Sequence, residues 1–275
     1  MFRELGDRWG QLQAIEWLGA AAAAASDRAQ AARLHRDGLR MAEDLGLWPQ
    51  AADALSWLGR NALQSGDLAQ ARELLERAMR LAAEQSYHPG QVFAELGLGQ
   101  TARREGKLDV AETHIRNVLR TSQRIGSEPD VARTISLSEL GFIAEQRGEP
   151  AIARSWHIQC LTAARKLGDP QAVAQALTGL AGAQALGGQP DRAAQLLGAA
   201  DAAWHPVGAS VPPGDGADVT RITAATREAL GEAAFAAEFQ NGRRLRPEQA
   251  SSLLRARGRG LLRRGDDRAG GAGAG

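Results

Sequence analysis

Along this chain the apolar positions are filled mostly by alanine and leucine, both strong helix formers, and the apolar stretches break at small residues. The segment SWLGRNALQSGD ends one stretch at a glycine, and LAQARELLERAMRLAAEQ opens the next. Glycine is expected just past a helix C-terminus, where it takes the left-handed conformation at little cost. No run of alternating Val, Ile and Thr reads as a strand, so the pattern predicts an all-α fold.

The breaks are periodic. Ser26, Gly66, Gly106, Gly148 and Gly188 stand 40, 40, 42 and 40 positions apart. Five positions beyond each is alanine: Ala31, Ala71, Ala111, Ala153 and Ala193. Twelve positions beyond is a small or compact residue: Gly38, Ala78, Val118, Cys160 and Ala200. Eight positions before is leucine (Leu18, Leu58, Leu98, Leu140, Leu180), followed by Gly19, Gly59, Gly99, Gly141 and then Ala181. A second series, Gly6, Gly46, Ser86, Gly126 and Gly168, keeps the same intervals. Columns that stay in step over five copies predict five helical hairpins of about 40 residues across positions 8–206. Pro49, Pro89, Pro129 and Pro170 fall between units, where proline can start a helix but not continue one.

The small columns have a packing reason. Gly59 and Ala71 let the two helices of a hairpin approach closely while Leu58 fills the groove beside them. Gly59→Leu is therefore expected to overpack the crossing by about 1–3 kcal/mol. At the start of the chain, Met1, Leu5 and Gly6 line up with Met41, Leu45 and Gly46. Residues 1–7 are thus expected to be the end of a truncated repeat. Trp9, Ile15 and Trp17 suggest no polar capping face there, so self-association at the N-terminal solenoid end is a further expectation.

These columns resemble the tetratricopeptide repeat, TPR. The leucine–glycine pair of the first helix, the alanine twelve residues after that glycine and the small residue seven further on appear most cleanly as Leu58, Gly59, Ala71 and Ala78. The 40-residue period exceeds the usual ~34, so the helices are expected to be longer by about a turn. The customary bulky aromatics of the first helix are replaced at one column by Ala22, Ala62, Ala102 and Ala144, and the closing proline is displaced. The resemblance covers roughly residues 8–206 and implies a right-handed superhelical solenoid of antiparallel helix pairs. It also implies that a protein or peptide partner lies along the first helices, on the concave face. Carried over, those positions are Asp53, Arg60 and Gln64; Phe93, Gln100, Arg103 and Arg104; and Ser138, Phe142 and Glu145. Arginines beside exposed aromatics suit an acidic or carboxylate-ended peptide, which arginine grips with two hydrogen bonds. The alternative is an ordinary solvated helix face.

After the repeats the period breaks. VPPGDG is a turn cluster. ADVTRITAATREAL reads as a helix ending at Gly231 with Val219, Ile222, Ala225 and Leu230 on its inner side. EAAFAAEF follows with Phe235 and Phe239 on one face, and PEQASSLLRA reads as a last short helix. Residues 207–256 are expected to form a helical C-terminal cap, and 257–275 a disordered Arg/Gly-rich tail. QLLGAADA, then PP, then REALGEAAFAAEFQNGRRL resembles the end of the TPR region in large actinobacterial transcription regulators of the AfsR/SARP and LuxR types. That resemblance implies a sensory arm in transcription regulation, beside an ATPase module and a DNA-binding domain. Neither function carries over to this chain, which has no GxxxxGK[ST] loop and no helix-turn-helix after the cap.

Composition narrows the remaining choices. Net charge is +1, yet residues 243–275 hold nine Arg against Glu248, Asp266 and Asp267, leaving +6 there and −5 on residues 1–242. The tail could touch phosphates, but nucleic-acid binding is the weaker expectation beside a regulator's TPR arm or a stand-alone TPR adaptor. The single cysteine, Cys160, excludes an internal disulfide and fits a cytoplasmic setting. No membrane span is expected, since the apolar stretch AIEWLGAAAAAA is too short and contains Glu16. No cofactor, metal or catalytic residue is expected, and the chain is not read as an enzyme. The GxGxxA match at Gly97–Ala102 lies inside a helix in repeat phase rather than after a strand. His35 and His157 share the packing column of Leu75, Ile115 and Leu197, and Cys160 sits in a small-residue column.

Overall fold

The computed structural model describes residues 7–25, 27–124, 130–204 and 213–245. Those residues form twelve α-helices and no strand: α1 (Arg8–Ala24), α2 (Arg28–Asp44), α3 (Trp48–Ser65), α4 (Leu68–Glu84), α5 (His88–Arg104), α6 (Leu108–Arg124), α7 (Asp130–Gln146), α8 (Pro150–Leu167), α9 (Pro170–Leu186), α10 (Pro190–Trp204), α11 (Pro213–Leu230) and α12 (Glu232–Arg243). Helices α1 to α10 pack as consecutive antiparallel pairs, and each pair stacks on the next as a TPR-like solenoid. Residues 1–6, the PEQASSLLRA segment and the 257–275 tail lie outside the described residues.

Local chemistry sets the helix ends. Asp7, Asp27 and Asp67 each accept a hydrogen bond from the backbone N–H three residues on, at 2.9–3.0 Å. Such caps satisfy one of the orphan donors at a helix start. Prolines stand in the first turn of α3, α5, α8 and α9, where the missing N–H costs nothing. Gly46, Gly66, Gly106, Gly148, Gly168 and Gly188 all take positive φ, +85° at Gly66. Ser86 occupies the same turn at φ +52° without glycine's freedom. Ser26, Gly6 and Gly126 lie outside the described residues.

The core follows the glycine column. A Cβ on Gly59 would meet Leu75 Cγ at 2.6 Å and the Ala71 carbonyl at 3.3 Å, so the crossing is closed against any side chain. Gly97, from the next unit, faces Leu75 from the other side at 2.6 Å. Leu75 of α4 is thereby clasped between two glycines. His157 fills the same slot between Gly141 and Gly179. Ala22, Ala62, Ala102 and Ala144, which replace the bulky TPR column, are all buried.

The C-terminal pair departs from the stack. α12 packs on α10, and Cβ atoms added at Gly198 or Gly242 would collide with the backbone carbonyls of Phe239 and Gln195. Phe235 and Phe239 stack at 5.6 Å and join the apolar core there. α11 instead reaches over the first helices of the hairpins, touching α9 and α3, while also packing on α10 and α12. Its inward stripe is Asp218, Ile222 and Thr226. Ala225, expected on the inner side, is exposed, because the buried stripe runs along the four-residue row of 218, 222 and 226.

Candidate functional site

All ten residues assigned to the concave face stand on first helices: Asp53, Arg60 and Gln64 on α3, Phe93, Gln100, Arg103 and Arg104 on α5, and Ser138, Phe142 and Glu145 on α7. They divide into a covered half and an open half, with Gln64 and Arg104 between the two.

The covered half lies under α11. Arg103, in the last turn of α5, is 3% exposed. Its Nε donates to Glu139 Oε2 at 2.5 Å, and its Nη1 and Nη2 donate to the two Asp218 oxygens at 3.2 and 2.9 Å. Gln100 donates to the other Glu139 oxygen at 3.1 Å. Arg221, one turn beyond Asp218, grips Glu145 through two bonds of 2.6 and 2.5 Å and reaches Asp218 at 3.1 Å. Arg103 also lies 5.1 Å over the Phe142 ring. Burial alone would raise the Asp218 carboxyl, but Arg103 and Arg221 beside it hold it below its ordinary value. Burial works against the Arg103 charge, yet Glu139 and Asp218 together keep it firmly protonated. Arg103, Phe142 and Glu145 are thus buried rather than presented to solvent, and Ser138 is buried on the side of Cys160 of α8. Their covering helix is remote in sequence, so no local pattern announces it. Glu139, Asp218 and Arg221 were not legible as site residues. The one signal was the Asp-x-x-Arg spacing in ADVTR, which puts opposite charges on one helical face.

The open half spans α1, α3 and the start of α5. Tyr87 donates its hydroxyl to Asp53 Oδ2 at 2.8 Å. Burial pushes the Asp53 carboxyl up to about 6, against the opposing effect of the Tyr87 bond. Glu16 is raised as well, first by burial and then by the Asp53 charge. Two turns along α3 from Asp53, Arg60 lies 5.7 Å from the Trp57 ring and 5.1 Å from the Phe93 ring. Trp57 stacks on His35 at 5.5 Å and meets Phe93 edge-on at 5.1 Å. Between the halves, Gln64, Arg104, Gln146, Asp218 and Arg221 help line a cleft of about 530 Å³. Arg104 donates to the Leu63 carbonyl at 3.3 Å. On α1, Trp9, Trp17 and Leu18 are exposed.

Other chemistry-bearing residues are structural in their surroundings. Gly97 and Gly99 lie within α5 against Leu75 and Ile115, so the GxGxxA match forms no phosphate-cradling loop. Burial pushes the Cys160 thiol up to about 12, and its Sγ donates to the Thr134 carbonyl at 3.4 Å. His35 and His157 are both buried. Among the described residues no His, Cys, Asp and Glu cluster could hold a metal, and no helix is long and apolar enough to cross a membrane.

Comparison with known proteins agrees with this architecture. Residues 50–124 match the family model described as Tetratricopeptide repeat. BtubC (BKLC) from P. vanneervenii is similar in structure, with a TM-score of 0.53 at 18% identity, over 89% of this chain and 97% of that one. The Rap conjugation gene regulator of the plasmid pLS20, solved in complex with the Phr* peptide, has a TM-score of 0.55 at 15% identity, over 80% of this chain and 65% of that one. At these identities the likeness speaks to the fold: a TPR-like helical solenoid. No curated protein matches the sequence.

Proposed function

We propose that the chain is a protein–protein interaction module that takes a peptide segment of a partner on the open half of its concave face. One observation carries this reading. On the face formed by first helices, Asp53 and Glu16 sit half-buried with raised carboxyls, and two turns along α3 from Asp53 the Arg60 guanidinium is framed by Trp57 and Phe93. Arg60 offers a bidentate grip for a ligand carboxylate, and the two rings supply apolar contact. The acidic pair suits a basic side chain of the same ligand. Sharing this fold, the Rap regulator was solved with a bound peptide. The finer assignment, a regulator's sensory arm, rests on the resemblance of segments within residues 195–245 to AfsR/SARP- and LuxR-type proteins. Self-association through Trp9, Trp17 and Leu18 belongs to the same proposal.

The test is a displayed random-peptide selection on the full chain, followed by titration of the best binder against wild type, Arg60→Ala and Phe93→Ala. A loss of about tenfold or more in each variant is expected. Binding unchanged in both variants would remove the open half as the site.

A further inference from the structure

The contact between α11 and the solenoid combines an apolar seat at Ile222 and Leu230 with a network of ion pairs. Among its described residues Ile222 is the one large apolar side chain that is fully buried, with Asp218 and Thr226 completing the inward stripe. Two of its charged residues reach two different helices, Asp218 to Arg103 on α5 and Arg221 to Glu145 on α7. The neighbouring α12 is held differently, by backbone-to-backbone approach at Gly198 and Gly242 and by two phenylalanines in the core. Between α11 and α12 stands Gly231, at φ +77°. α11 also packs on α10 and α12, but the α9–α10 pair and the α10–α12 crossing hold contacts of their own besides those to α11.

We propose that Arg103, Glu139 and Glu145 form the floor of a receptor for a helical segment of a partner protein, one that presents a carboxylate and, three residues on, a guanidinium. α11 is the chain's own occupant of that receptor, and such a segment displaces it. This rests on the concave face being the binding face. Arg103 and Glu145 lie on different helices, and a single helical turn holds the two opposite charges at the separation they require. Without an occupant, Arg103 keeps Glu139, but Glu145 loses the Arg221 grip. A segment lacking the guanidinium would leave the desolvated Glu145 uncompensated, and one lacking the carboxylate would leave two buried donors of Arg103 unmet, so both are rejected. A short tether gives α11 an effective concentration on the order of millimolar, so it is the resident state and a competitor must bind well below that.

The experiment uses the full chain and a fluorescent peptide of residues 213–230, PGDGADVTRITAATREAL. It is titrated against wild type and against Asp218→Ala/Arg221→Ala, which loosens the tethered helix and leaves the groove floor untouched. At least tenfold tighter binding to the double variant is expected, lost when the peptide's own aspartate at 218 and arginine at 221 are replaced by alanine. Equal affinity for the two proteins, or binding to neither, overturns the proposal. Should the double variant lose its helical circular dichroism, hydrogen exchange on wild type decides. α11 amides exchanging at least tenfold faster than those of α9 and α12 support displacement, and equal protection overturns it. Peptides that bind through Arg60 leave the proposed function standing whichever way this falls.

Discussion

Replacing His157 by leucine tests how the solenoid core handles a polar ring in an apolar slot. His157 is clasped between Gly141 and Gly179 and meets Phe142 edge-on, with ring centroids 4.8 Å apart. Neither ring nitrogen has a hydrogen-bond partner. Burial drives its pKa from 6.5 down to about 3, while Asp218 raises it somewhat and Arg103 opposes that. The folded chain therefore refuses a proton that the unfolded chain accepts below about pH 6.5. Above that pH neither state binds it and the group adds no pH dependence. Between about pH 6.5 and pH 3, stability falls as pH falls. At pH 5 the unfolded state is ahead by roughly 1.5 pH units of binding free energy, about 2 kcal/mol relative to pH 8. Leucine already fills this slot at Leu75, between Gly59 and Gly97, so His157→Leu fits without new space. It is expected to gain about 1–2 kcal/mol at pH 8 by removing unpartnered polar atoms. It should also lose the 2 kcal/mol acid-dependent component. The assay is urea unfolding of both proteins at pH 8 and pH 5, compared as a difference of differences so that carboxylates common to both cancel. A variant whose stability falls with acid as steeply as wild type would refute the account of His157 as a buried neutral ring.

Other expectations follow from single contacts. Ser86→Gly relieves a left-handed residue at a turn where the other described units carry glycine, and should stabilise by about 0.5–1 kcal/mol in thermal melts. Asp53→Asn keeps an acceptor for Tyr87 and removes a carboxylate raised to about 6. Since a raised acid loses stability as pH climbs from about 4 through 6, the variant should exceed wild type by about 1–3 kcal/mol at pH 7.5. The two should match near pH 3.5, and a gain of equal size there would contradict this. Gly198→Ala drives a methyl into the Phe239 carbonyl and should cost about 3 kcal/mol, with α12 amides losing exchange protection first. An unchanged melting temperature would show that α12 is not seated as described.

Much of the fold was written locally. The 40-residue register, the aspartate caps, the first-turn prolines and the glycine turns each act within a few residues, so their chemistry stands in the sequence as columns. The slot shared by His35, Leu75, Ile115 and His157 was visible for the same reason, because a repeat samples one environment several times. The placement of the ten concave-face residues on first helices was also legible from register. Which of them face solvent was not. Arg103 and Glu145 read as surface charges until α11 is set over them by bonds spanning 115 and 76 positions. Asp53 and Arg60 read alike in sequence, yet one ends beside Tyr87 with a raised carboxyl and the other between two rings. A charged side chain carries no local mark of its burial. Burial comes from whatever the rest of the chain brings against it, and α11 falls after the period has ended, so only the tertiary structure could decide where it docks.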